Sequence, residues 1–251
     1  MKFLHDTWIL FGRNMRHFLR SPESLMEVLV QPIMLMLLFV YVFGGAIDVG
    51  TDNYVNYLLP GILAMAMLTG TLYTAMRLIN DRGKGLMARF HSMPVSRPSI
   101  LWAQVLTSLV SNAISLSIII FAAFIIGFRS TAGILEWVVI IAMLGIFTIA
   151  LSWFAVIPGL ITKSAEGGLA FAYPLVMLPF ISSAFVPTKT MPYVVRIFAE
   201  NQPITPIVNA MRSLLSSNPV GNDILIAFTW CFVIMVVAYF ISMRIYKNQT
   251  D

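Results

Sequence analysis

Residues 99–128 read SILWAQVLTSLVSNAISLSIIIFAAFIIGF, thirty positions without a single charge. A helix needs about 20 mainly apolar residues to cross the hydrocarbon core of a bilayer, at roughly 1.5 Å of rise per residue. Five further charge-free runs flank this one: Val28–Ile47, Leu58–Met76, Trp137–Thr162, Gly167–Thr188 and Ile224–Met243. Nearly every charge falls between them. Lipid offers the backbone no hydrogen-bond partners, so each crossing is expected to be a helix. The sequence therefore predicts an all-α, polytopic membrane protein with six transmembrane helices, residues 1–251 forming one transmembrane domain.

Composition agrees. The chain is 59% hydrophobic and 11% charged, with a mean hydropathy of +0.85, whereas soluble domains run near 25% charged. A soluble helical protein would need shorter apolar runs and more charge. The single cysteine, Cys231, lies inside the last run. It can form no internal disulfide and reads as a small packing residue. The N-terminus does not read as a cleaved signal peptide, because Arg13, Arg16, Arg20, Glu23 and Glu27 precede the first apolar run.

The basic residues set the expected orientation. Lys2, Arg13, Arg16 and Arg20 precede the first run; Arg77, Arg82, Lys84, Arg89 and Arg97 lie between the second and third; Lys163 follows the fourth; Arg244 and Lys247 follow the sixth. The alternate gaps hold only Arg129, Lys189, Arg196 and Arg212. The positive-inside rule puts both termini and the 77–98 gap in the cytoplasm of a cell-membrane protein. The net charge of +5 is then mostly topology, with a minor attraction to anionic lipid. It needs no nucleic-acid partner.

Three segments outside the runs carry information. In residues 1–20, Leu4, Trp8, Phe11, Met15 and Phe18 recur on one helix face, with the basic residues mostly off it. Such a helix lies in the membrane interface. Ser21-Pro22 reads as its break, with Pro22 opening the next helix. In residues 77–98, five basic residues stand against Asp81 alone, Leu86, Met87 and Phe90 give an apolar edge, and Pro94 and Pro98 punctuate the return. A short helix is expected near Lys84–Ser92. Residues 188–222 contain Pro192, Pro203, Pro206 and Pro219. There Thr205-Pro206 reads as a helix N-cap and first position, and Ile204, Val208, Met211 and Leu215 share a face. The helices here are too short to span and are expected as re-entrant or interfacial elements.

Most enzyme chemistry is missing. Gly83-Lys84 is followed by Gly85 and has no upstream glycine of a phosphate-binding loop. His5, His17 and His91 all fall outside the runs, with no metal-ligand spacing. An ion-coupled carrier would want ionisable groups within the spans. The polar residues there, among them Gln31, Thr69, Thr74, Gln104, Asn112 and Ser152, are the kind that join helices. A transporter without its own coupling ion or nucleotide site takes its energy from a partner.

At Asp81-Arg82-Gly83-Lys84-Gly85-Leu86-Met87-Ala88-Arg89, followed by Pro94-Val95-Ser96-Arg97, the chain resembles the membrane subunits of type-2 ABC exporters, and among them the daunorubicin-resistance-like permeases. A second match is Ala184-Phe185-Val186-Pro187, Met191-Pro192, Asn201-Gln202-Pro203-Ile204-Thr205 and Arg212. Together with the number of runs and the N-terminal helix, the resemblance covers essentially the whole chain. It implies that two permeases pair, as a homodimer or with a second permease, and that each docks a separate ATP-binding cassette subunit. That partner would hold the ATP and magnesium, and this chain no cofactor. The loop after the second span becomes the ATPase-coupling element, with Asp81, Gly85, Arg89, Pro94 and Arg97 as its marked residues. The N-terminal helix, with Trp8, Phe11 and Met15, becomes the connecting helix, and Asn201, Pro203 and Arg212 mark the outer motif. The family pattern often has glutamates where this chain has Gly83 and Ala88, which leaves Asp81 as the acid of the stretch. The implied function is export of a hydrophobic, amphipathic or lipid-linked small molecule. A non-transporting immunity or assembly protein and an ion-coupled carrier are the competing classes.

Overall fold

The computed structural model describes residues 2–44, 54–83, 96–162 and 164–248. Among them every regular element is helical, as the apolar runs require. Among the described residues, four helices are long and apolar enough to cross a membrane: α3 (Tyr54–Gly83), α4 (Arg97–Ile126), α5 (Ile134–Ile161) and α9 (Asp223–Asn248). The first and fifth predicted spans coincide with shorter apolar helical stretches, 30–42 and 166–181. The first belongs to α2 (Pro22–Leu37), which continues into a π-helical turn at Leu38–Phe43. The second is α6 (Ala165–Met177), which tightens into a 3-10 turn at Leu178–Ile181. Pro174 and Pro179 crowd that exit, and a proline removes a backbone donor from the helical ladder. The helical part of the fifth run thus stops short of its predicted end at Thr188. Helix α1 (Lys2–Arg20) ends where Ser21-Pro22 was expected to break it, and α7 (Tyr193–Asn201) and α8 (Ile204–Leu215) are the two short helices before α9.

Helix α3 is the axis of the bundle. Its apolar window is 83% buried, against 17% for α9. Thirty residues make a rod of about 45 Å, longer than the roughly 30 Å hydrocarbon core, so its last turns project beyond it. Helix α9 buries only the stripe Ala227, Cys231, Ala238, Ser242 and Tyr246; its Phe232, Val237 and Phe240 are exposed. An apolar surface of that extent belongs in lipid. Cys231 is buried as a packing residue.

Small polar side chains join the long helices. Ser108 of α4 takes hydrogen bonds from Thr74 of α3 (3.0 Å) and Ser152 of α5 (2.8 Å), and Ser242 of α9 donates to the Trp153 carbonyl (3.2 Å). Trp153 also stacks edge-on against Trp102 and Tyr239, with ring centroids 5.2 and 4.8 Å apart. Each such aromatic pair contributes about 0.5–1.5 kcal/mol beyond its buried area. Thr74 and Ser152 therefore serve as the interhelical joints that their sequence context predicts, whereas Asn112 bonds Ser108 of its own helix. Thr69 and Thr71 bond carbonyls of their own helix.

Candidate functional site

The helix ends carry the chemistry. One end collects α1, the end of α3, the start of α4 and the end of α5; it bears most of the basic residues and is called the basic side. Here α1 is stitched to the start of α4. Asp6 Oδ2 accepts from the Ser96 amide (3.0 Å) and the Ser96 hydroxyl (3.2 Å), and Ser99 Oγ donates to the Phe3 carbonyl (3.2 Å). The hydroxyls of Ser96 and Ser99 also bond each other. Leu10 and Phe11 pack on Ile100 and Ala103.

The apolar stripe of α1 faces two ways. Phe18 is 3% exposed, while Leu4 and Trp8 are 71% and 69% exposed; Phe11 and Met15 are half-buried. The docking edge is Thr7, Leu10 and Phe18, and Leu4 and Trp8 are left for an outside environment. The periodicity identified the apolar face but could not divide it between protein and membrane.

Of the marked coupling residues, Gly85, Arg89 and Pro94 lie outside the described residues, as does the helix expected at Lys84–Ser92. Arg97 opens α4. Asp81 is turned inward: its Oδ2 accepts from Gln104 Nε2 of α4 at 3.2 Å. It shares a small cavity with Arg13, Asn14, His17, Arg77 and Asn80. Arg82 donates to the Gly159 carbonyl (3.2 Å) and the Leu160 carbonyl. It satisfies the last carbonyls of α5, where a cation also suits the helix dipole. One turn before Asp81, Arg77 faces a cavity of about 480 Å³ between α1, α2, α3, α4 and α6.

The opposite end, the far side, is closed by a clamp centred on Arg212 of α8. Its Nε and Nη2 donate to the Tyr57 carbonyl (3.3 and 3.2 Å), Nη2 to the Ser183 carbonyl (2.9 Å) and Nη1 to Asn209 Oδ1 (3.2 Å). The guanidinium carbon stands 3.7 Å from the Tyr57 ring centroid, close enough for a strong cation–π contact. Tyr57 Oη also donates to the Ser183 carbonyl (3.1 Å). Burial lowers the Arg212 pKa from its ordinary value, a cost that these contacts offset. Nearby, Asn56 exchanges two bonds with Arg129, and Ser130 donates to the Leu215 carbonyl.

The rest of the far-side motif divides between surface and core. Asn201 bonds only the Ile197 carbonyl of its own helix and is exposed. Pro203 precedes α8 as its N-cap. The residue between them, Gln202, is buried and donates to the Leu178 and Ile181 carbonyls (3.3 and 2.6 Å). The motif contains Gln202 without marking it, because its partners in the Leu178–Ile181 turn are fixed only by the fold. The expected Thr205 cap is not formed. α8 starts two residues earlier, at Ile204, and Thr205 Oγ1 donates to the Ala199 carbonyl (2.5 Å), tying α8 back to α7. The predicted α8 face is correct: Ile204, Val208, Met211 and Leu215 are all buried. Helix α7 is more exposed; there a hydrogen bond from Arg196 (2.8 Å) holds the Glu200 carboxyl below its ordinary pKa.

Among the described residues, no three of His, Cys, Asp and Glu converge where a metal ion could bind. The arrangement holds joints, clamps and polar-walled cavities. The ABC-2 type transporter family matches residues 5–216 of this chain. The chain belongs to that family. The daunorubicin resistance ABC transporter permease protein DrrB1 of Streptomyces coeruleorubidus is 28% identical over 243 residues, covering 94% of this chain and 84% of the relative. The probable doxorubicin resistance ABC transporter permease protein DrrC of Mycobacterium tuberculosis is 26% identical over 240 residues, covering 94% and 86%. A putative transport permease, ycf38, of Cyanophora paradoxa is 26% identical over 219 residues, covering 85% and 75%. The chain is accordingly a multi-pass permease subunit of an ABC-2 transporter, and its helices are transport machinery.

Proposed function

We propose that this permease exports a hydrophobic or amphipathic small molecule across the cell membrane by alternating access, driven by ATP hydrolysis in a separate cassette subunit. Its termini and basic side face the cytoplasm. Two permeases pair around the transport path, and 30–42 and 166–181 complete six crossings. Unbroken helix from residue 22 to 43 supports the first of these, a rise of about 33 Å. The drug-resistance names of two relatives support the cargo class.

One observation carries the coupling mechanism. The segment between α3 and α4, with Gly85, Arg89, Pro94 and Arg97 in or beside it, begins at the end of the most buried helix and ends at Ser96, where Asp6 ties α1 to α4. A partner pressing on that segment moves α1, α3 and α4 as a unit. The exposed Trp8 face keeps α1 in the membrane surface while it moves. Such a partner drives the cycle only by binding the inward-open and outward-open states unequally.

The test is a pull-down of tagged permease from gently solubilised native membranes. A cassette ATPase should be recovered, and Arg89→Glu with Arg97→Glu should abolish its cargo-stimulated activity while the permease stays folded. Recovery of the permease alone, beside a control transporter that keeps its partner, would overturn the reading. So would full stimulated activity in the double variant.

A further inference from the structure

The cavity of about 480 Å³ has walls of unequal chemistry. Gln31, Thr69, Tyr73 and Ser111 give it hydroxyl and amide groups, and Leu169 and Val176 of α6 an apolar flank. Among the described residues no carboxylate lines it. At its basic-side end sits Arg77. Its Nη2 donates to Thr74 Oγ1 (3.2 Å). Its Nε and Nη1 are shut off from solvent and have no acceptor among the described residues. The Phe18 ring of α1 stands 5.8 Å from the guanidinium carbon. The nearby acid, Asp81, receives Gln104 and shares its small cavity with Arg13 and His17 as well as Arg77. Among the described residues, one carboxylate thus faces two arginines and a histidine.

A buried guanidinium with unspent donors is costly. Charge-assisted hydrogen bonds from a guanidinium to an anion are the strong ones. Thr69 lies eight residues from Arg77 along α3, about 12 Å of helix, long enough for a headgroup at one end and the start of an apolar body at the other. We infer that this cavity binds an amphiphile by an anionic headgroup, a phosphate, sulfate or carboxylate, held by the charge of the Arg77 guanidinium, with its apolar body against α6. Amphiphiles whose only charge is positive are rejected by the same group. The occupant is either the transported molecule or a resident anionic lipid. The cargo alternative rests on the exporter reading; the anion site itself does not.

The experiment uses the full chain in zwitterionic phosphatidylcholine nanodiscs, with dodecyl phosphate as the probe and dodecyltrimethylammonium as the control. Thermal shift and native mass spectrometry should show saturable binding of dodecyl phosphate and none of the control. Arg77→Gln should weaken that binding at least tenfold, and Arg77→Lys, which keeps the charge, should weaken it less. Leu169→Trp fills the apolar flank without touching Arg77 and should also abolish binding, which keeps the test decisive if an Arg77 variant does not fold. An anionic phospholipid that co-purifies with wild type and is lost in Arg77→Gln identifies a resident lipid. Stimulation of the partner ATPase by dodecyl phosphate, without such a lipid, identifies cargo. Equal binding of both probes, or unchanged binding in folded Arg77→Gln and Leu169→Trp, overturns the inference. Binding needs no ATPase, so its failure is distinguishable from failure of the exporter reading.

Discussion

Arg212 and Arg77 are guanidinium groups at opposite ends of the same central helix, and they are treated in opposite ways. On the far side, Arg212 spends all three nitrogens on two backbone carbonyls and an amide, with an aromatic ring beneath its charge. On the basic side, Arg77 spends one nitrogen on a threonine hydroxyl and keeps two buried beside a cavity, without an acceptor among the described residues. Taking a cation out of water is costly in either place. A clamp recovers that cost within the folded chain, whereas a cation facing an open cavity recovers it only when something binds. The contrast assigns Arg212 to holding α8 and the 182–185 turn on α3, and Arg77 to recognition.

The contrast breaks most visibly at Arg212. Arg212→Ala leaves the Tyr57 and Ser183 carbonyls without their charged donor and should lower stability by about 3–5 kcal/mol, as loss of one partner from a buried charged network does. Denaturant titration in mixed micelles, followed by circular dichroism, measures it. A change below about 1 kcal/mol would mean that the clamp is ornamental and that the two arginines are alike. Gly61 sharpens the same point. A Cβ there would lie 2.8 Å from the Ala184 carbonyl oxygen and 2.9 Å from Ala184 Cβ, inside van der Waals contact with the turn that Arg212 grips. Gly61→Ala should push that turn off α3 at about 1–3 kcal/mol, the usual cost of overpacking, and the same titration should show the smaller loss.

The sequence made the bundle legible and left the joints hidden, for a physical reason. Apolar length is a local property, so α3, α4, α5 and α9 appear within a residue or a few turns of their charge-free runs. The stop at Ile181 instead depends on how Pro174 and Pro179 fall within a helix already weakened. The α8 face could be read because its spacing is local; the work of Thr205 and Gln202 could not, because their partners, Ala199 and the Leu178–Ile181 turn, are fixed only by the fold. The same holds on the basic side. The sequence marked Asp81 as part of a motif, but its inward turn onto Gln104 requires α3 and α4 to be side by side. Arg77 looked like one topogenic charge among five. Only the geometry separates it from Arg82, which is absorbed by the end of α5.

The smallest expected effect is the most discriminating. In zwitterionic lipid without a ligand, Arg77→Gln removes a charge that the described residues do not neutralise in full. Replacing a buried, poorly compensated ion by a neutral group is often neutral or stabilising, so stability should stay within about 1 kcal/mol of wild type or rise. The loss of attraction to Asp81 works in the other direction. It is limited because Asp81 keeps Gln104 and still shares its cavity with Arg13 and His17. The same titration that registers Arg212→Ala measures this variant. A loss as large as that of Arg212→Ala would make Arg77 a second clamp, with its two donors satisfied in the membrane by groups of the protein itself, and the cavity beside it would then have no claim on an anion.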